Sequence, residues 1–140
     1  MINSRSIQDL LPRTQEKCYA FIRECAEHGI EIIITSTYRD IESQDKLYAQ
    51  GRTQPGQKVT NVEGGYSFHN WRVAFDFVPL VSGKAVWDDD ILWQACGACA
   101  RAVGLEWGGD WHGFKDRPHC QDTGGYTIAQ YVSGEAEYMA

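Results

Sequence analysis

Four histidines occur in the chain, and two of them keep company that could do chemistry. His69 precedes an aspartate, Asp76, that sits among Val73, Ala74, Phe75, Phe77 and Val78; His119 follows Asp116 by three residues. Two imidazoles and one carboxylate make a common catalytic zinc set. They leave a fourth position for water, whose pKa falls from ~15.7 toward ~7 on binding. A further carboxylate beside that water can take its proton and pass it to a leaving amine. The inventory is complete for metal-assisted hydrolysis, with His69, Asp76 and His119 as ligands and Asp116 as base. Spacing alone leaves a second reading open. A strand aspartate without a partner costs several kcal/mol, and Arg39 or Arg72 could offset that in a buried ion pair.

Other candidates carry weaker signals. Glu106 is the rival for the base. His112 lies in a Trp111-His112-Gly113 turn, and His28 ends a helical pattern where a cation is mildly favoured. Asp88-Asp89-Asp90 looks like a cation cluster but is explained by a helix N-terminus. Asp110, beside Gly108-Gly109, reads as a turn residue. Trp71, Trp107 and Trp111 could wall a cleft or fill a core. Of the five cysteines, Cys96 and Cys99 form a CxxC inside a helical pattern with no second pair to complete a zinc site. They, with Cys18 and Cys25, are expected to be small buried hydrophobes.

The elements that must position these residues follow from periodicity. Pro12 to His28 reads as an amphipathic helix, with Cys18, Phe21, Ile22, Cys25 and Ala26 on one face and Gly29 as its stop. Glu31 to Thr37 holds the β-branched run Ile32-Ile33-Ile34, a strand signal. Asp40 can cap a second helix that stops at Gly51. Residues 51–66 are turn-rich, and a loop of that length in a small domain is usually functional or mobile. Val73 to Pro79 alternates as a strand, Ser82-Gly83 turns into Lys84 to Trp87, and Asp88 or Asp89 caps a helix through Val103 closed by Gly104. A short helix is expected near Thr127 to Val132. Of the 14 glycines, only Gly29 precedes residue 50, so the first third is a helix-strand-helix support and the irregular remainder carries the site.

Composition sets the limits. A length of 140 residues, 43% apolar and 23% charged, fits one α+β domain spanning residues 1–140. No apolar run is long enough to span a bilayer, so membrane insertion is not expected. A net charge of −6 argues against nucleic acid as a partner, because phosphate binding needs a concentrated basic face. Met1 to Ser6 lacks an apolar stretch, so no signal peptide is visible and synthesis in a cytoplasm is expected. An odd cysteine count fits reduced thiols there.

Ser67-x-His69-x6-Asp76 resembles the SxHxxGxAxD signature of the D-alanyl-D-alanine and L-alanyl-D-glutamate peptidases, a zinc peptidase group that also includes lysostaphin and the signalling domain of Hedgehog. The likeness extends through Thr35-Ser36-Thr37-Tyr38-Arg39, Gln44, Leu47 to Thr53, Gly65, Leu105-Glu106-Trp107-Gly108-Gly109-Asp110-Trp111, and Phe114 to Gln121. It is greatest to the single-domain L-alanyl-D-glutamate endopeptidases of phage endolysins and related wall hydrolases. The resemblance implies a small antiparallel sheet flanked by helices. It further implies Zn2+ on His69, Asp76 and His119, catalytic Asp116 (preferred over Glu106 by its spacing from His119), Arg39 binding or polarising substrate, and Ser67 beside the metal positioning substrate. The implied substrate is the stem peptide of bacterial peptidoglycan, cut at the L-Ala-D-Glu bond by a monomer released to the wall. D-Ala-D-Ala cleavage and a non-catalytic, zinc-stabilised wall-binding module are the alternatives. Two positions depart from the pattern. Arg72 stands where the family has Gly and could itself contact substrate. Cys120 replaces an apolar residue after the last ligand and is expected to be inert.

Overall fold

The computed structural model describes residues 1–136. Helix α1 (Pro12–Glu27) opens with proline in its first turn, where the missing N–H costs nothing, and buries Thr14, Cys18, Phe21 and Cys25 on one stripe. The chain reverses at Gly29, whose φ of +74° is the left-handed conformation that favours glycine. Strand β1 (Glu31–Ser36) follows, and then α2 (Ile41–Ala49), where Asp40 Oδ1 accepts from the Ser43 N–H at 2.8 Å.

No helix or strand interrupts residues 51–66, as their turn-rich composition predicts. Arg52 ties that loop down. Its Nη1 donates to the Tyr48 and Thr60 carbonyls at 2.7 and 3.0 Å, and its guanidinium lies 3.9 Å over the Tyr48 ring.

Strand β2 (Ala74–Val81) is the spine of the sheet. It starts one residue later and runs two residues further than the alternation predicts, because Leu80 and Val81 pair with Ala85 and Lys84 of β3 (Lys84–Ala85) across the Ser82-Gly83 turn. Helix α3 (Asp90–Ala102), capped by Asp89, precedes β4 (Glu106–Trp107), β5 (His119–Gln121) and the short α4 (Ile128–Val132). The strands of the sheet all pair antiparallel, in the order β1-β2-β5-β4 with β3 hydrogen-bonded to β2.

Period-two alternation separates core from cleft on these strands. Phe75 lies opposite Cys120, and Cys120 opposite Trp107; all three are fully buried in the core. There Phe21 of α1 meets Phe77 edge-on at 4.8 Å, and Trp93 of α3 meets Phe77 at 5.5 Å. Each such ring contributes roughly 1.5–3 kcal/mol by leaving water. Gly97 on α3 is required by this packing, because a Cβ there would run into the Trp107 ring. All five cysteines are free and buried, as expected of small core hydrophobes. The intervening residues of β2 and β5, Asp76, His119 and Gln121, face the opposite side of the sheet.

Candidate functional site

The cleft face of the sheet carries the chemistry. Register alone places Asp76 directly across from His119, and Gln121 across from Glu106. His69 arrives from a 3-10 turn, Phe68–Trp71, built by its neighbours. Ser67 Oγ accepts from the His69 N–H at 3.3 Å, and Asn70 Oδ1 accepts from the N–H groups of Gly65 and Ser67 at 3.0 and 3.2 Å. Asn70 Nδ2 also donates to the Arg39 carbonyl at 2.8 Å, binding this turn to the segment between β1 and α2.

Backbone and side-chain acceptors decide which ring nitrogen of each histidine carries its proton. His69 Nδ1 lies 2.8 Å from the Thr37 carbonyl, which can only accept, so Nδ1 donates and the lone pair is on Nε2. His119 Nε2 lies 2.7 Å from Gln121 Oε1, so Nε2 donates and the lone pair is on Nδ1. Both lone pairs point at one carboxylate oxygen: Asp76 Oδ1 is 3.2 Å from His69 Nε2 and 3.4 Å from His119 Nδ1. Three acceptors thus face one another, with one donor atom from each residue inside 4.8 Å of the others. Such a convergence is repulsive unless a cation or an added proton sits within it. Two imidazole nitrogens and a carboxylate oxygen fit zinc, and the carbonyl and amide behind the rings are the outer partners that metal-ligating histidines ordinarily have.

Without a metal, His119 and Asp76 titrate away from their usual ranges. Burial pushes His119 toward neutrality, but hydrogen bonding and charge from Asp76, with Asp116 behind it, win and raise its pKa above the usual imidazole value. Burial likewise pushes Asp76 up, and the two histidines outweigh it, holding that carboxyl far below the usual range.

Asp116 and Arg39 flank this set in a cleft of about 800 Å³. Asp116 Oδ2 is 3.9 Å from His119 Nδ1. Burial raises its pKa and the charge of Asp76 adds to that, against the pull of His119, His69 and Arg39. The Arg39 guanidinium is half-buried; Nη1 donates to Gln44 Oε1 at 2.9 Å and Nη2 to Ser36 Oγ at 3.2 Å. Its Nε–H is buried with no acceptor among the described residues. Ser67 also lines the cleft, and its hydroxyl caps the His69 turn.

All six residues singled out in the sequence, Arg39, Ser67, His69, Asp76, Asp116 and His119, therefore line one cleft. Neither Arg39 nor Arg72 pairs with Asp76 in an ion pair. Arg72 takes the left-handed conformation (φ +65°) that explains glycine at this position in the family pattern. Its guanidinium turns to the Asp9 carbonyl at 2.9 Å and stacks 3.8 Å over Tyr38, and Arg72 is not among the residues that line the cleft. Cys120 points into the core, where burial holds its thiol protonated, well above the usual range. Glu106, the rival base, reaches Gln121 Nε2 at 3.0 Å and Trp111 Nε1 at 2.8 Å rather than the ligand set. Trp111 walls the cleft against His119, whereas Trp107 is core. Asp110 pairs with Arg101 at 2.9 Å, and His112 is exposed.

Sequence reasoning did not assign roles to Gln121, Gln44, Asn70 or Thr37. Gln121 had a signal, since two residues beyond His119 on a strand is the same face. Thr37 had none, because it acts through its carbonyl.

Comparison with known proteins agrees with this geometry. The D-alanyl-D-alanine carboxypeptidase family matches residues 60–122, the stretch that holds His69, Asp76, Asp116 and His119. The chain is 38% identical over 122 residues to the peptidoglycan L-alanyl-D-glutamate endopeptidase CwlK of Bacillus subtilis (strain 168), covering 81% of this chain and 73% of that one. It is 32% identical over 120 residues to the L-alanyl-D-glutamate peptidase of Listeria phage A118, covering 83% of this chain and 39% of that longer protein. The fold matches the L-Ala D-Glu endopeptidase ChiX of Serratia marcescens with a TM-score of 0.63, at 20% identity, over 96% of this chain and 93% of that one. With its site geometry and these relatives together, the chain belongs to the family of D-alanyl-D-alanine carboxypeptidases and L-alanyl-D-glutamate peptidases.

Proposed function

We propose that this chain is a zinc peptidase that cuts the stem peptide of bacterial peptidoglycan between L-Ala and D-Glu. The observation that carries the reading is the convergence of two imidazole lone pairs on the Asp76 carboxylate, with Asp116 beside them and Arg39 lining the same cleft. The names of the two sequence relatives support the choice of bond. His69, Asp76 and His119 would hold the metal, and Zn2+ there supplies a Lewis acid for a peptide carbonyl and acidifies water.

The chain's own groups do the rest. Asp116 takes the proton of the attacking water and returns it to the amine that leaves. Its raised pKa suits both halves of that transfer better than an ordinary carboxylate would. Arg39 stays charged and is held rigid by Gln44 and Ser36, so its guanidinium meets negative charge developing on the carbonyl oxygen or a carboxylate of the peptide. Trp111 shields one side of His119 from water. The presence of an acid in the cleft counts against a purely wall-binding role.

The same machinery would serve D-Ala-D-Ala cleavage, the reaction named for the matched family, so the bond needs a direct test. Purified protein is incubated with defined peptidoglycan, with zinc or with chelator, and the products are weighed by mass spectrometry. Release of a peptide beginning at D-Glu, abolished by chelator, is the expected result. Free D-Ala as the product would reassign the bond, and no product with zinc would remove the peptidase reading. The protein is proposed to act as a monomer at the bacterial wall after synthesis in a host cytoplasm, in the manner of an endolysin. No helix among the described residues is long and apolar enough to cross a membrane.

A further inference from the structure

Gln121 poses a question of polarity. Its amide can present either oxygen or nitrogen to His119, and the two choices have opposite consequences. Oxygen toward Nε2 requires a proton there and leaves Nδ1 as the free lone pair of the cluster. Nitrogen toward Nε2 would demand the lone pair there and move the proton to Nδ1, into the face shared with Asp76. Gln121 is almost fully buried, so no bulk water arbitrates.

Glu106 arbitrates. It is the cross-strand partner of Gln121 in the β4–β5 ladder, and its Oε2 lies 3.0 Å from Gln121 Nε2. An ionised carboxylate only accepts, so it holds the amide with nitrogen outward and oxygen toward His119 at 2.7 Å. The same Oε2 takes the indole N–H of Trp111 at 2.8 Å. Indole nitrogen only donates, so an acceptor is required here twice over. Trp111 in turn packs against His119 with ring centroids 5.2 Å apart.

We propose that Glu106 is a positioning residue that fixes the tautomer of His119 through Gln121, and thereby the affinity of the cleft for its metal. It touches neither substrate nor metal. The proposal rests on reading His119 as a ligand. Its chemical content, a carboxylate selecting the amide orientation and the amide selecting the tautomer, stands apart from what the cluster binds.

The test uses the full chain and three substitutions. Glu106→Ala removes the acceptor. Glu106→Lys puts a donor in its place. Glu106→Gln keeps an oxygen able to accept from both Trp111 and Gln121 while losing the charge. Two readouts are taken. In zinc-free protein at alkaline pH, nitrogen-15 chemical shifts report which nitrogen of His119 carries the proton. In a separate titration, competition with a chelator gives the zinc affinity.

The expected result is an Nε2–H tautomer in the parent and in Glu106→Gln. A mixture or the Nδ1–H form is expected in Glu106→Ala and Glu106→Lys, with zinc bound about 10–100-fold more weakly, the usual cost of losing an outer partner of a ligand. Parent-like tautomer and affinity in Glu106→Ala or Glu106→Lys would overturn the proposal, as would Glu106→Gln falling as far as Glu106→Ala. A parent that binds no zinc would defeat the metal reading on its own, while the tautomer comparison would still decide the role of Glu106.

Discussion

Asp76 and His119 face one another across the β2–β5 ladder, with the carboxylate Oδ1 3.4 Å from the imidazole Nδ1 and a second imidazole, His69, 3.2 Å from the same oxygen. Antiparallel register makes this pair, so the separation is a property of the sheet rather than of a mobile loop. A site built on strands binds its metal with little reorganisation, and what it binds stabilises the fold by mass action. Zinc at 100 times its dissociation constant is expected to add about 2.7 kcal/mol to the unfolding free energy. Urea denaturation with zinc and with chelator measures the difference, and equal midpoints would speak against a resident metal.

Acidification is expected to strip that metal. A proton and the metal compete for His119 Nδ1, and the pKa of His119 is raised, so the proton becomes competitive at a pH above the ordinary imidazole value. Affinity therefore falls as pH falls, beginning above about 6.5. Zinc titrations at a series of pH values check the sign; affinity that is flat between neutral and mildly acidic pH would contradict it.

Asp116→Asn separates proton transfer from metal binding. The substitution keeps size and removes the group that accepts the proton, so hydrolysis is expected to drop about 10²–10⁴-fold. Zinc affinity should stay near that of the parent. Product masses and chelator competition on the same preparation give both numbers.

Gly108 controls where Asp116 stands. The Asp116 N–H donates to the Gly108 carbonyl at 3.0 Å, and a Cβ on Gly108 would collide with the Asp116 carbonyl. Gly108→Ala is therefore expected to cost roughly 1–3 kcal/mol through overpacking and to move the acid. A displacement of about 1 Å at a catalytic group can lower the rate ~10²-fold. The His119 N–H donates to the same Asp116 carbonyl at 3.1 Å, but pairing of β5 with β2 holds that ligand, so zinc affinity is expected to fall less than the rate. Rate and zinc affinity falling together would show that the damage is general.

Arg72→Gly asks whether this departure from the family pattern matters to catalysis. Glycine removes a left-handed strain of roughly 1–2 kcal/mol, while the lost bond to Asp9 and the stacking on Tyr38 cost about as much. Stability is expected to change by less than ~1 kcal/mol and the hydrolysis rate to be unaltered. A large loss of rate in a stable variant would return Arg72 to the substrate.

The helices and their ends were legible because their signals are local: Pro12 at a start, Asp40 and Asp89 as caps, Gly29 and Gly104 as stops. The ligand set was legible in part. Composition and spacing brought out His69, Asp76 and His119 but could not separate a metal from an ion pair with Arg39 or Arg72; the motif and then the register decided. What stayed hidden depends on partners far apart in the chain. Nothing near Glu106 announces that β4 will lie against β5 and aim its carboxylate at Gln121 instead of the cleft. Arg72 was ambiguous for a similar reason, since its partners Asp9 and Tyr38 come from the first third of the chain.

The central claim is that one metal ion is held by His69, Asp76 and His119. A crystal structure of the zinc-loaded protein, with diffraction recorded at the zinc absorption edge, tests it most directly. The account predicts a single anomalous peak about 2.0–2.1 Å from His69 Nε2 and His119 Nδ1 and about 2.0–2.2 Å from an Asp76 oxygen. A peak seated elsewhere, for instance among the buried cysteines of α1 and α3, or none at this cluster with zinc in excess, would contradict it.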